Sequence, residues 1–406
     1  MTQQTSGIDQ AAQQGSWISI LLIYCIGVLG AASITQALPV IGDMAKLFHP
    51  GAKAGWIISI PSITVAIAAF LAGWLVDRFG DKPVLLIGSL IIILGDIGVT
   101  AVNSFQSLLI MRVLEGVGYL GTSVAAITML TRITSGKRRN SALTLWSSYI
   151  PMSFALPLVL AGQLAGSDRW HWAFSGHAIL LALLTVSGAV QLPAGHNQKV
   201  SRTAGMAKVI RTPGPLVLGL AFACTAFMQT GLVSILPNLL IKMYGVTFAI
   251  AASIGSLGMI FKTAGCLAAG PLLNRNISPI AIAVAGVILA ILGGITMGLP
   301  LPSFSIAAMV SGVFFFGAGL VVGLWALTPT VAPDYQSLGA ASGVVTQVAI
   351  WGVLFGPPAA FAAEAHGGWT IVSTSIALAG ACIVTCIMLV VNRFTTMKAE
   401  AGAAAH

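Results

Sequence analysis

The sequence predicts an all-α membrane protein of twelve transmembrane helices arranged as two pseudo-symmetric six-helix bundles. Three observations lead there. Apolar runs about as long as the roughly 20 residues a spanning helix needs recur along the whole chain. Composition is 57% hydrophobic and only 7% charged over 406 residues, where soluble domains average about 25% charged. One polar, basic joint near the middle, Pro193 to Pro213, leaves six runs on either side.

In order, the spans are expected at about 17–38, 54–77, 83–103, 106–130, 142–164, 172–192, 215–240, 247–273, 278–299, 303–330, 339–363 and 369–392. Trp17, Trp56, Trp170, Trp172 and Trp369 fall near span ends, where the ring can bury its body and keep its N–H wet. The domains expected are 1–192 and 215–406 for the two bundles, with 193–214 as a cytoplasmic central loop. The first 16 residues hold no Lys or Arg, so no cleaved signal peptide is expected. All five cysteines (Cys25, Cys224, Cys266, Cys382, Cys386) lie in expected spans, which argues for packing rather than a disulfide framework. Cys382 and Cys386 share a helix face, but two thiols without further ligands make a poor metal site.

The net charge of +9 could suggest nucleic acid, but the bases sit in short joints between apolar spans. Sorting of Lys and Arg to one membrane side explains it better. With the N-terminus inside, cytoplasmic joints and tails hold thirteen (Arg78, Lys82, Arg132, Lys137, Arg138, Arg139, Lys199, Arg202, Lys208, Arg211, Arg275, Arg393, Lys398) and outer joints four (Lys46, Lys53, Arg169, Lys242). Both termini are therefore expected in the cytoplasm. Ala72, Gly73, Leu75 and Arg78 recur as Ala269, Gly270, Leu272 and Arg275 at a constant offset of 197, each set closing a second span of its half. That equivalence of position is what a duplicated six-helix unit would leave.

The stretch Ala72 to Pro83, AGWLVDRFGDKP, closes one apolar run in a tight charged loop. It resembles the loop between helices 2 and 3 of the major facilitator superfamily, matching at Gly73, Leu75, Asp77, Arg78, Gly80 and Lys82; Asp81 departs, standing where that family usually has a base. Leu108 to Gly121, LLIMRVLEGVGYLG, resembles the family's fourth-helix motif through Arg112, Gly116, Gly118 and Gly121, with Glu115 where glutamine is usual. Ser167 to Phe174 also looks like the start of the family's sixth helix. The resemblance covers all twelve spans and implies a secondary transporter of the twelve-helix bacterial type in the inner membrane. In such proteins the halves rock about a midplane site, and a loop like that at Asp77 and Arg78 latches the cytoplasmic side against the start of span 11.

Charges inside spans need a separate account, because each costs several kcal/mol in lipid unless compensated. Asp96 and Arg112 lie about equally far from the turn at Asn103 to Gln106, and Glu115 follows Arg112 by three, on the same helix side. A structural clamp between spans 3 and 4 accounts for this as well as a proton-coupling network does. The resemblance ties the arginine to proton coupling in many members, which would make Glu115 the leading proton carrier. Lys262 falls near the bilayer midplane, and no Asp or Glu occurs between Asp168 and Asp334. It either loses its proton, reaches Glu115 or Asp96, or waits for an anionic solute. Tyr24, Gln36, Tyr119, Trp146, Tyr149, Gln229, Trp325, Gln347 and Trp351 are candidate solute-lining residues by the resemblance, each equally explicable as packing. His177 reads as a buried structural histidine of an outer helix.

These readings converge on proton-linked movement of a small organic anion by alternating access. Drug or metabolite efflux by proton antiport is the rival. Against it, span 5 (Pro151, Pro157) lacks the paired glycines of many exporters and span 1 lacks an acid. The second-half kink is expected at Gly356, Pro357 and Pro358. The partners expected are the solute, H+ and the lipid bilayer, with the chain acting as a monomer. No nucleic acid, metal, cofactor or enzyme chemistry is expected, since no nucleophile, clustered histidine or phosphate loop occurs.

Overall fold

The computed structural model describes residues 15–194, 209, 211–299, 301–333 and 338–403. Among them it is helical throughout, with no strand. Ten helices are long and apolar enough to cross a membrane. Two further segments, 55–79 and 136–164, are broken helices, which completes twelve spans in the expected order. The 193–214 loop falls mostly outside the described residues.

The first half begins with α1 (Trp17–Thr35), capped by Ser16, whose hydroxyl accepts from the Ser19 amide at 3.1 Å. The sequence suggests one helix to residue 38, but the structure ends it at Thr35, passes through a 3-10 turn at Leu38–Val40 and adds α2 (Ile41–Phe48). Pro39 removes an amide from the ladder and enforces that change. The second span is α3 (Gly55–Ser59) and α4 (Pro61–Phe79), parted at Pro61 and broken again at Ala68 (φ −120°, ψ 15°). α5 (Asp81–Ala101) and α6 (Phe105–Arg132) follow, the latter opened by a reciprocal Ser104–Ser107 capping box. The fifth span divides into α7 (Gly136–Ser147) and α8 (Tyr149–Leu160). The break sits where the Pro151 ring would meet the carbonyl four residues back. α9 (His171–Gln191) closes this half.

The second half runs α10 (Pro213–Tyr244), α11 (Phe248–Asn274), α12 (Pro279–Thr296) and α13 (Phe304–Leu320). The tenth span leaves α-helical geometry for a 3-10 stretch at Val321–Leu327 before the short α14 (Thr328–Val331). α15 (Leu338–Ala403) contains spans 11 and 12, parted at Gly368 (φ 58°, ψ −146°), a conformation that glycine alone adopts cheaply.

By contact the chain forms two compact units, one of residues 1–49 and 68–200, the other of 50–67 and 201–406. Their boundary at 67/68 coincides with the break at Ala68. Inside the second unit, Gln347 of α15 donates its side-chain amide to the carbonyls of Val65 (3.1 Å) and Ala66, just before that break.

Each unit contains a near-identical helix crossing. In the first, α5 meets α6 so closely that a methyl at Gly118 would stand 2.5 Å from the Gly88 carbonyl, and one at Gly88 2.8 Å from that of Gly118. In the second, Gly286 of α12 and Gly317 of α13 face each other with the same reciprocity, each 2.5 Å by that measure. The offsets, 198 and 199 (286 less 88, 317 less 118), lie within two of the sequence repeat at 197. Backbones this close gain dispersion and weak polar contacts that lipid cannot match. Gly118→Leu is therefore expected to destabilise the first unit by about 1–3 kcal/mol through overpacking, read as a lower unfolding temperature in detergent.

Candidate functional site

The first unit holds a buried cluster of charge assembled from four spans. Arg112, on α6, is fully buried and ion-paired with Glu115 one turn on. Its remaining donors reach the carbonyl oxygens of Ser33 (2.6 Å) and Ile34 (2.8 Å), at the C-terminal end of α1 where helix carbonyls lack partners. Its guanidinium carbon also lies 5.6 Å from the Phe174 ring centre. Gly95 of α5 makes room for the acid, since a methyl there would stand 2.5 Å from the Glu115 Cγ.

Asp96, also fully buried, accepts from Gln36 Nε2 at 2.5 Å and meets His177 Nδ1 at 2.7 Å. The other ring nitrogen of His177 lies 2.8 Å from the Leu29 carbonyl. Asp96 and Gln36 are both interacting neighbours of Glu115. Two acceptor oxygens, Glu115 Oε1 and Gln36 Oε1, lack a hydrogen-bond partner among the described residues. The expected Asp96, Arg112 and Glu115 are thus assembled, and the structure adds Gln36 and His177. Depth is the one hint the sequence carries for His177, which lies six residues into α9 where Asp96 lies five from the end of α5, about 9 and 8 Å along their helices. Nothing in local sequence says that those two faces meet.

In the second unit, Lys262 is the fifteenth of the 27 residues of α11 and is 9% exposed. Among the described residues its ammonium has no hydrogen-bond or ion-pair partner, and its titratable neighbour is the Cys266 thiol one turn on. Glu364, an acid of the same unit, is engaged by Lys242 instead. Gly319 of α13 lets the two backbones meet at the Lys262 carbonyl, which fixes that turn of α11.

The other candidates lie as follows. Tyr24 bonds Ser148 at 2.7 Å, the Tyr119 and Tyr149 hydroxyls lie 3.4 Å apart, and Trp146 stacks on Tyr149 at 4.2 Å, so these form one aromatic group in the first unit. In the second unit Gln229 is buried, Trp325 stacks on Phe222 at 4.9 Å and Trp351 on Phe355 at 5.8 Å. Gln347 is committed to the backbone of α4.

In the loop, Gly73 lies within α4, the side chain of Asp77 is outside the described residues, and Arg78 lies over Phe79 at 5.5 Å. Gly80 takes φ 87° to start α5, and Lys82 clamps the Ala189 (2.8 Å) and Leu192 (2.7 Å) carbonyls at the end of α9. Asp81, the motif's odd residue, is 1% exposed and takes a two-pronged bond from Arg132 (2.6 and 3.0 Å) at the end of α6. Sequence reasoning missed this anchor because it reads as a local departure while its partner is 51 residues away. Asp81→Asn is expected to lower stability by about 2 kcal/mol, the worth of a charged hydrogen bond, measurable as a fall in the thermal midpoint of detergent-purified protein.

A family model described as Major Facilitator Superfamily matches residues 20–357. The 3-(3-hydroxy-phenyl)propionate transporter of Escherichia coli K12 is 26% identical over 84% of this chain and 85% of its own length. The multidrug export protein EmrB of Haemophilus influenzae is 25% identical over 39% of this chain, and that match spans only 30% of the relative. Among solved structures, a bacterial homologue of the human lysosomal transporter Spinster superposes with a TM-score of 0.69 at 17% identity, covering 94% of this chain and 97% of the other, a likeness of fold.

Proposed function

This chain belongs to the Major Facilitator Superfamily of membrane transporters, and on that premise we propose that it carries a small organic anion across the bacterial inner membrane by alternating access coupled to protons. The observation that carries the choice of solute is Lys262: a cation held in mid-helix, without a partner among the described residues, offers a carboxylate its strongest attraction where the medium is least polar. The E. coli relative, whose match runs nearly the length of both chains, is named for an aromatic carboxylate. The stacked pairs Phe222–Trp325 and Trp351–Phe355 are the ring-binding candidates of the same unit.

Proton coupling is supported by the cluster of Asp96, Arg112 and Glu115, which combines a fixed guanidinium with two buried acids. The two six-helix bundles would be 1–192 and 215–406, acting as a monomer, with cytoplasmic termini from the Lys and Arg asymmetry and Asp77 and Arg78 as the latch. Efflux by proton antiport is the second reading, favoured by the H. influenzae relative's similarity.

Proteoliposomes with an imposed proton gradient decide between them. Accumulation of labelled 3-(3-hydroxyphenyl)propionate that collapses with a protonophore is the expected result. Extrusion of tetraphenylphosphonium with no carboxylate flux would transfer the assignment to the rival.

A further inference from the structure

The His177–Asp96 contact counts protons. A carbonyl oxygen only accepts, so the 2.8 Å contact of His177 Nε2 with Leu29 requires hydrogen on Nε2. At 2.7 Å from Nδ1 stands Asp96 Oδ2, and an ionised carboxylate also only accepts. Either Nδ1 carries a second ring proton and donates to Asp96, or the ring is neutral and Asp96 carries that proton and donates to Nδ1. In both cases the pair holds one proton more than a neutral imidazole and a carboxylate. The charge balance agrees: with that proton, the two acids Asp96 and Glu115 are matched by Arg112 and the pair's extra proton. Without it the cluster is left with a net negative charge among buried helices.

We infer that the His177–Asp96 pair is the resting site of the exchangeable proton in this cluster, and that Glu115 is the position to which the proton moves. Glu115 can receive it at constant net charge, because Arg112 then balances Asp96 alone. The orphaned Glu115 Oε1 and Gln36 Oε1 would both be satisfied if a protonated Glu115 donated to the amide oxygen. The transfer has a mechanical consequence. Once the proton leaves, Nδ1 and Oδ2 face each other as two lone pairs, and the contact joining α9 to α5 changes from attraction to repulsion. Gain or loss of one proton is thereby converted into a change of helix contact. The groups acting on His177 are the Leu29 carbonyl of α1, Asp96 of α5 and Arg112 of α6, with Gln36 bonded to that same Asp96 and Glu115 paired with that same Arg112.

The inference rests on the proton-coupled reading above, but its test needs no solute, so the two can fail separately. Full-length protein in liposomes, labelled with 15N-histidine and 13C-carboxyl aspartate and glutamate, is examined by solid-state NMR at about pH 8, where solvent-facing histidines are neutral. His177→Gln identifies the ring signal, and Glu115→Gln and Asp96→Asn identify the carboxyls. The expected wild-type spectrum shows either a doubly protonated His177 or a protonated Asp96. In Glu115→Gln, which mimics the protonated acid, the pair gives up that proton and His177 becomes a neutral ring protonated on Nε2 beside an ionised Asp96; His177 is likewise neutral and protonated on Nε2 in Asp96→Asn. A neutral His177 beside an ionised Asp96 in the wild type overturns the inference, whether the proton is then found on Glu115 or nowhere. Should a variant fail to fold, the wild-type spectrum still decides: one persistent imidazolium or one protonated aspartate is required.

Discussion

Replacing Arg112 with alanine is expected to leave little folded protein in the membrane. The guanidinium is fully buried, ion-paired with Glu115, and bonded to the Ser33 and Ile34 carbonyls at the end of α1. Its removal strands a carboxylate and two carbonyl oxygens at once, and breaking a buried pair from one side typically costs about 3–5 kcal/mol. Whole domains are stable by only about 5–15 kcal/mol, so the loss is a large share of the total. Arg112→Lys should fall between, because an ammonium restores the charge without the planar fork that serves Glu115 and α1 together. A double variant, Arg112→Met with Glu115→Gln, separates structure from charge. It removes the stranded anion, so its unfolding temperature should recover part of the single variant's loss while gradient-driven flux stays absent. If Arg112→Ala unfolds within a degree or two of wild type, the cluster is not the structural centre of the first unit.

The twelve spans were legible because their signal is composition over about 20 residues, which lipid enforces strictly. Arg112 with Glu115 and the isolation of Lys262 were also legible, since one depends on helical spacing and the other on an absence of acids along 165 residues, 169 to 333. His177 and Asp81 were not. Their partners, Asp96 and Arg132, lie 81 and 51 residues away, and pairing at that range depends on which helix faces meet. Gln36 and Gln347 show the same limit: each reads as a polar residue available to a solute, yet one is bonded to Asp96 and the other to the backbone of α4. Breaks at Ser148 and after Thr35 follow from Pro151 and Pro39, whereas the break at Ala68 has no proline or glycine to announce it.

The second large effect is expected at Lys262, and it should fall on transport rather than on folding. An ammonium without a partner among the described residues contributes little to stability, so Lys262→Ala should unfold at or above the wild-type temperature, the opposite of Arg112→Ala. Uptake of 3-(3-hydroxyphenyl)propionate should fall roughly 10- to 100-fold in kcat/KM, the equivalent of about 1.5–3 kcal/mol for a lost hydrogen bond to a charged group. Lys262→Arg should retain part of the flux, because the charge survives while the group grows, and Lys262→Met, which keeps the length without the charge, should behave like alanine. Competition by benzoate or phenylpropionate, which share the carboxylate, should protect wild type from labelled uptake, whereas the corresponding amides should not. Equal flux in wild type and Lys262→Met would remove the cation from solute recognition, and with it the reason for preferring an anion over the exporters' cations.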